Sequence, residues 1–208
     1  MTPKSPILRL AVFVSGSGSN LQSILDACAQ ADFPAEVACV FCNRSDAYGL
    51  ARARDAGVAS LVVDDRDFPS RRAHEEVLLK GLADRPVDLV VLAGYMRILT
   101  PLFLQAFRRA DGRSGVINIH PADTRDYQGA HGYEYALGIK PHGLNRLEKT
   151  KITVHWVDDG VDTGPIIAQA DVPVLPEDDL RALKARGLEI EHQLYPEVIR
   201  DIAMGRYD

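Results

Sequence analysis

The alternation of short apolar runs with helical patterns is the feature that most limits how this chain can fold. From Arg9 to Ile119, runs rich in apolar and β-branched residues alternate with stretches whose apolar residues have helical spacing. The run Leu89–Ala93 is apolar throughout, which is typical of a strand covered on both faces. We therefore predict an α/β fold with a doubly wound, mostly parallel sheet.

Beyond Asn118 the pattern predicts a C-terminal antiparallel extension and a long final helix, within a single domain over 1–208. The predicted strands are Arg9–Val14, Glu36–Cys42, Ser60–Val63, Leu89–Ala93, Val116–Ile119, Lys151–Val157 and Gly164–Val174. The predicted helices are Asn20–Ala29, Ala47–Ala56, Arg71–Ala83, Pro101–Phe107, Tyr133–Leu137 and Asp179 to about Met204.

Composition excludes several classes of partner. With 24 Lys plus Arg and 29 Asp plus Glu, the formal charge is −5, which argues against a nucleic-acid binder. Uncharged apolar runs such as Leu89–Ala93 are far shorter than the roughly 20 residues that cross a bilayer, so we expect no membrane partner. Three cysteines, an odd number, fit a reducing compartment, and we expect a cytoplasmic protein.

Ligands of open α/β sheets bind outside the carboxyl ends of the strands, and the first strand ends in a glycine-containing turn. The segment Ser15–Asn20 runs directly into a helix, whose N terminus favours an anion such as a phosphate. Alternatively, the glycines only make a tight turn and Ser19 or Asn20 caps the helix. A dinucleotide site is disfavoured because Leu21 and Asn43 stand where the fingerprint needs glycine and an acidic residue.

The fifth strand ends with Asn118 and His120, two residues apart and therefore on one face of the strand. An amide beside an imidazole suits acyl transfer, since the amide stabilises an oxyanion and the imidazole moves a proton. Asp162, in the turn before Gly164, is positioned to orient that imidazole, or it only forms the turn.

Two metal or redox hypotheses receive little support. His120, His131, His155 and Asp162 are suitable zinc ligand types, but they lack the close spacing of recognised sites, so we expect no metal. Cys39 and Cys42 match C-x-x-C within a predicted strand, which favours buried structural thiols.

Taken together, the strand ends resemble the phosphoribosylglycinamide formyltransferase family, over about Leu8 to Arg200. The segments that carry the resemblance are Val14–Gln22, Asn43–Ala47, Val91–Leu99, Asn118–Pro121, Val161–Pro165, Glu191–His192 and Tyr195–Pro196. The resemblance implies a Rossmann-like fold that transfers a formyl group from 10-formyltetrahydrofolate, the co-substrate, to glycinamide ribonucleotide. It also implies a nucleotide-binding half over about 8–118 and a folate and catalytic half over about 119–208.

The resemblance further implies roles for individual residues. In the ribonucleotide site, the phosphate is bound by Gly18, Ser19 and Asn20 in the turn after the first strand. The sugar is bound by Glu191. The folate is bound by Arg71, Met96, Arg97, Ile98, Leu99, Asn118, Asp158, Asp159, Gly160, Val161 and Asp162. The implied catalytic group is Asn118, His120 and Asp162, with Asp162 keeping His120 protonated near neutral pH.

Because both implied ligands are anionic while the chain is acidic, we expect local cations and a helix N terminus to attract them. The expected groups are Arg71, Arg97, His120 and the helix that begins near Ser19. Two departures from the family pattern stand out: the loop Ala122–Gly129 is more polar and lacks the usual prolines, and Leu188 replaces a polar residue.

Three alternative functions stay open at this point. A formyltetrahydrofolate deformylase would send the formyl group to water, and a related enzyme would formylate an amino sugar or initiator methionyl-tRNA. A non-catalytic module would bind folate or a nucleotide phosphate without transfer. The sequence pattern does not fix the oligomeric state, and a homodimer is compatible with it.

Overall fold

The computed structural model describes residues 7–110 and 112–207, so the ends of the predicted domain, 1–6 and 208, lie outside it. The strands are β1 Leu8–Val14, β2 Ala35–Cys42, β3 Ser60–Val62, β4 Leu89–Leu92, β5 Val116–His120, β6 Lys149–Trp156 and β7 Ile166–Pro173. The helices are α1 Ser19–Cys28, α2 Gly49–Asp55, α3 Arg71–Ala83, α4 Pro101–Ala106, α5 Gly132–Ala136 and α6 Leu180–Ala203, with a 3₁₀ turn at Asp65–Asp67. Each predicted element is present, with ends that agree within two residues.

The strands form one sheet in the order β3-β2-β1-β4-β5-β6-β7. The pairs from β3 to β5 are parallel, and the β5–β6 and β6–β7 pairs are antiparallel, which confirms the predicted α/β class and its antiparallel extension. The chain moves outward from β1 to β3 and then returns to place β4 on the other side of β1. That reversal opens a crevice at the carboxyl ends of β1 and β4.

The central strands of the sheet are buried on both faces, which explains their continuous apolar sequences. In β1, Leu10, Val12 and Val14 point to the cluster formed with α1 and α6, while Ala11 and Phe13 point to the cluster formed with α3 and α4. All five side chains have no exposed surface.

The long helix α6 is fixed to the middle of the sheet by Tyr195. Asp179 caps the helix by accepting a hydrogen bond from the Ala182 N–H at 2.7 Å, and the helix continues through Pro196. The fully buried Tyr195 hydroxyl lies 3.0 Å from the Leu92 carbonyl and 3.2 Å from the Ile117 carbonyl, to which it donates. Tyr195 therefore joins α6 to both β4 and β5 beside the crevice.

Between residues 7 and 110 and between 112 and 207, no helix has the length and the apolar character that crossing a membrane requires.

We predict that Tyr195→Phe lowers the free energy of unfolding by about 1–2 kcal/mol, because a buried hydroxyl–carbonyl hydrogen bond is lost without creating a large cavity. Urea denaturation followed by circular dichroism measures the change. An unchanged unfolding midpoint and m-value would show that the hydroxyl does not stabilise the α6–sheet contact.

Candidate active site

The turn after β1 presents a helix N terminus without a capping side chain. Gly18 is the residue before α1 and has a left-handed backbone (φ 68°), and no side chain in the described part of the chain caps this helix. A Cβ on Gly18 would lie 2.7 Å from the Gly49 Cα, so the close approach of this turn to α2 also requires glycine. The alternative in which Ser19 or Asn20 caps α1 is therefore wrong, and first-turn N–H groups are oriented to bind an anion.

The side chain of Asn20 points away from that turn and toward α6. It is 6% exposed, and its Nδ2 donates to Glu191 Oε2 at 2.6 Å. Tyr133, from α5, donates its hydroxyl to Glu191 Oε1 at 2.9 Å. Burial raises the pKa of Glu191 above its ordinary value, and the hydrogen bonds from Asn20 and Tyr133 oppose that rise in part.

A hydrogen-bonded chain joins the ends of three neighbouring strands. The Met96 N–H donates to Ser15 Oγ at 2.8 Å, and the Ser15 hydroxyl donates to Asn43 Oδ1 at 2.6 Å. Asn43 Nδ2 in turn donates to Asp65 at 2.8 Å. The ends of β4, β1 and β2 are thereby held together around the crevice.

Arg97 is paired with an acidic residue. Its guanidinium forms an ion pair with Asp65, whose side chain is 9% exposed and also pairs with Arg44. Together with Asp64 and Arg66, three guanidinium groups share two carboxylates, which leaves this cluster one net positive charge. The expectation of Arg97 as a local cation stays a prediction, because Arg97 shares Asp65 with Arg44 and the cluster keeps one net positive charge.

The other implied folate residues follow β4, begin α3 or lie in the loop after β6. Met96 and Ile98 are 77% and 45% exposed, whereas Leu99 is buried in the core cluster that includes Phe103. Arg71 is exposed at the first turn of α3. In the loop after β6, Asp158 accepts hydrogen bonds from the Gly160 N–H and the Thr163 hydroxyl, which shape residues 158–163.

The three implied catalytic side chains converge. Asp162 Oδ1 accepts from Asn118 Nδ2 at 3.1 Å, and Asp162 Oδ2 lies 3.3 Å from His120 Nδ1. His120 is 5% exposed, and the Asp162 side chain is 14% exposed. Asp162 has a left-handed backbone (φ 53°), so both hypotheses about it hold: it forms the turn and it contacts the imidazole.

A fourth member of this cluster is His155, which the sequence suggests only as a possible zinc ligand. Its Nε2 lies 3.3 Å from both Asp162 Oδ1 and Asn118 Nδ2, and its Nδ1 lies 2.9 Å from the Trp156 carbonyl. In the antiparallel β5–β6 pair, His155 is directly opposite Asn118. The β5–β6 register is the feature that identifies His155, and the sequence alone does not give that register.

The protonation of the cluster follows from burial and from its contacts. Burial alone would raise the pKa of Asp162, but the hydrogen bond from His155, the charge of His120 and the Gly129 N–H lower it to about 2. Burial lowers the pKa of His120 below its ordinary value, while the charge of Asp162 and the Tyr127 carbonyl oppose this in part. The charge of Asp162 therefore raises the pKa of His120, as expected. Burial outweighs this effect, however, and the net shift of the His120 pKa is downward.

The loop that departs from the family pattern contacts the implied catalytic residues His120 and Asp162 directly. The Tyr127 carbonyl lies 3.2 Å from His120 Nε2, and the Gly129 N–H donates to Asp162 Oδ2 at 2.9 Å. At the start of the loop, the Thr153 hydroxyl donates to the Ala122 carbonyl at 2.7 Å. The main chain of this loop thus completes the surroundings of His120 and Asp162.

Across residues 7–110 and 112–207, no group of three or more His, Cys, Asp or Glu is arranged to hold a metal ion. Cys39 and Cys42 are buried free cysteines within β2, as predicted. Burial raises the pKa of both thiols, so both stay protonated and unreactive.

Comparison with known proteins identifies close relatives along nearly the whole chain. Residues 8–199 match the family described as formyl transferase. The phosphoribosylglycinamide formyltransferase of Haemophilus influenzae is 42% identical over 200 residues, which cover 95% of this chain and 88% of that protein. The enzyme of the same name from Escherichia coli K12 is 41% identical over 201 residues, covering 96% and 89%. The crystal structure of glycinamide ribonucleotide transformylase 1 from Symbiobacterium toebii superposes with a TM-score of 0.87 at 44% identity, covering 96% and 89%.

We predict that Asp162→Asn lowers the pKa of His120 further, because it removes the charge that raises this pKa while leaving the imidazole buried. NMR titration of the ring nitrogens measures the shift. The matched control is Asp171→Asn, which removes an exposed carboxylate paired with Lys149 on β7. A His120 titration that is the same in Asp162→Asn and in the unaltered protein would contradict the coupling.

Proposed function

This chain belongs to the formyl transferase family, and we propose that it transfers the formyl group of 10-formyltetrahydrofolate to the amine of glycinamide ribonucleotide in purine biosynthesis. The observation that carries the proposal is the contact of Asn118, His120 and Asp162 at the carboxyl end of β5. An amide donor, an imidazole and a carboxylate in contact are the groups that acyl transfer to an amine requires.

The substrate sites are part of the same proposal. The phosphate of the ribonucleotide binds the N–H groups at Gly18, Ser19 and Asn20, and its sugar binds Glu191. The folate lies against Arg71, residues 96–99 and the loop 158–162. The uncapped start of α1 supports the phosphate position, and the exposed apolar side chains of Met96 and Ile98 support the folate position. The ribonucleotide half is then about 8–118, with Glu191 added from α6, and the folate and catalytic half is about 119–208.

Formyl transfer begins when the neutral amine attacks the formyl carbon, which places negative charge on the formyl oxygen. Asn118 Nδ2 and His120 Nε2 donate hydrogen bonds to that oxygen. At His120 Nε2, the formyl oxygen replaces the Tyr127 carbonyl as the acceptor. Both ring nitrogens of His120 face acceptors, so the imidazolium satisfies both contacts. Negative charge on the formyl oxygen raises the pKa of His120 and favours that charged form.

Asp162 orients the cluster and is not itself the base. With a pKa of about 2 and contacts to Asn118, His120, His155 and the Gly129 N–H, its carboxylate has little tendency to take a proton at neutral pH. The proton that leaves the amine therefore passes through a water held beside this carboxylate to the departing folate nitrogen. His120 keeps its own proton throughout, because it only donates a hydrogen bond to the formyl oxygen.

A product assay tests the proposal and separates it from the alternatives. Purified protein is mixed with 10-formyltetrahydrofolate, with and without glycinamide ribonucleotide, and formylated ribonucleotide and formate are measured. We expect formylated ribonucleotide that depends on both substrates. Formate released without the amine would identify a deformylase, and ligand binding without either product would identify a non-catalytic module.

We predict that Asn118→Ala and Asp162→Ala each lower turnover by on the order of 10²–10³, the usual cost of losing an oxyanion donor or its orientation. Circular dichroism checks that the fold is intact, and Asp171→Ala on β7 is the surface control. Turnover of Asp162→Ala within a few-fold of the unaltered protein would rule out its role.

A further inference from the structure

We propose that Tyr133 is a positioning residue whose hydroxyl orients the Glu191 carboxylate, so that Glu191 and the Asn20 side-chain carbonyl together bind two adjacent sugar hydroxyls of the acceptor. This inference rests on the proposed function and extends the sugar site to α5, which none of the implied substrate residues includes.

The first step of the argument is an unsatisfied acceptor. Asn20 Nδ2 donates to Glu191 Oε2, but Asn20 Oδ1 is buried and has no hydrogen-bond partner. Turning the amide over would direct its oxygen at the carboxylate, so this orientation is the favourable one. A buried acceptor without a partner costs free energy unless a ligand supplies a donor.

The second step is the acceptor capacity of Glu191. Each carboxylate oxygen can accept two hydrogen bonds, and each accepts one here, from Asn20 and from Tyr133. One acceptor position remains on each oxygen, beside the free Asn20 Oδ1. Neighbouring acceptors of this kind match a vicinal diol, whose two hydroxyls both donate, and they disfavour a phosphate, whose oxygens accept.

The third step is the placement of Tyr133. A Cβ on Gly187 would lie 2.2 Å from the Tyr133 hydroxyl oxygen, so glycine at this position of α6 makes room for the phenol. Burial, the charge of Glu191 and their hydrogen bond raise the pKa of Tyr133 well above its ordinary value, so the phenol remains a donor. The ring is 6% exposed, and its hydroxyl is fixed against the carboxylate.

The titration of Glu191 gives a readout that packing alone would not change. The polar and charged groups that act on Glu191 are Asn20 from α1, Tyr133 from α5, and Lys184, His192 and Tyr195 from α6. Removing the Tyr133 donor raises the pKa of Glu191, so the carboxylate takes up its proton at a higher pH. The acid limb of kcat/KM for the ribonucleotide should then move upward.

The test compares Tyr133→Phe with the unaltered protein, using ribose 5-phosphate and 2-deoxyribose 5-phosphate as calorimetric probes. We expect the unaltered protein to bind the ribose compound about tenfold more tightly, and the variant to bind the two within about twofold of each other. We also expect the variant to raise KM for glycinamide ribonucleotide about tenfold, with kcat and the KM for folate within about twofold.

Two further variants complete the design. Gly187→Ala keeps the hydroxyl but displaces the ring, and it should give the same loss of sugar discrimination. Tyr207→Phe removes a phenol beyond the end of α6, on a residue whose carbonyl accepts from Arg113 before β5, and should change neither KM.

If Tyr133→Phe weakened the binding of both sugar phosphates by the same factor, Tyr133 would be only a packing residue and the inference would be overturned. The inference would also be overturned if the variant still preferred ribose 5-phosphate about tenfold over the deoxy compound, or if the acid limb of its kcat/KM profile did not move. A failure of the proposed function is seen in a different assay, in which the unaltered protein would form no formylated ribonucleotide. The binding of the two sugar phosphates would still show whether Tyr133 positions Glu191.

Discussion

The buried carboxylate of Asp162 is the interaction on which the catalytic edge of the sheet depends. A carboxylate removed from water is stable only when its oxygens are paired, and Asp162 contacts Asn118 and His120 of β5, His155 of β6 and the Gly129 N–H. Through these contacts one charge fixes two strands, the turn that carries it and the loop after β5. The arrangement that organises the reacting groups is therefore also what stabilises this edge of the fold.

The position of that cluster follows from the topology of the sheet. The reversal between β1 and β4 leaves a crevice at the carboxyl ends of the strands, and Ser15, Asn43 and the Met96 N–H connect those ends by hydrogen bonds. Helix α6 returns across β4 and β5, held by Tyr195, and brings Glu191 to the start of α1. Two residues that are 171 positions apart, Asn20 and Glu191, thus come into hydrogen-bonding contact at the proposed sugar site.

The elements of the fold and the placement of Asn118 and His120 on one face of β5 could be predicted because their signals are local. Continuous apolar runs identify strands covered on both faces, and Asn118 and His120 share a face because they are two residues apart. The remaining features depend on long-range geometry. His155 required the β5–β6 register, the pairing of Arg97 with Asp65 joins two long-range neighbours, and the Asn20–Glu191 contact depends on where α6 crosses the sheet. Burial also reversed the net pKa shift expected for His120, since a turn sequence does not reveal how little solvent the ring contacts.

The distribution of charge explains how an acidic chain can bind two anionic substrates in the proposed reaction. The formal charge is −5, but the acidic groups beside the crevice have partners: Asp65 pairs with Arg44 and Arg97, and Asp162 contacts two histidines and an amide. Asn20 and Tyr133, which donate hydrogen bonds to Glu191, are neutral, so in the proposed complex the carboxylate repels a phosphate while its oxygens accept hydrogen bonds from hydroxyls. The uncapped N terminus of α1 favours the phosphate. In the proposed reaction, these opposing preferences on either side of Asn20 orient the acceptor along the crevice.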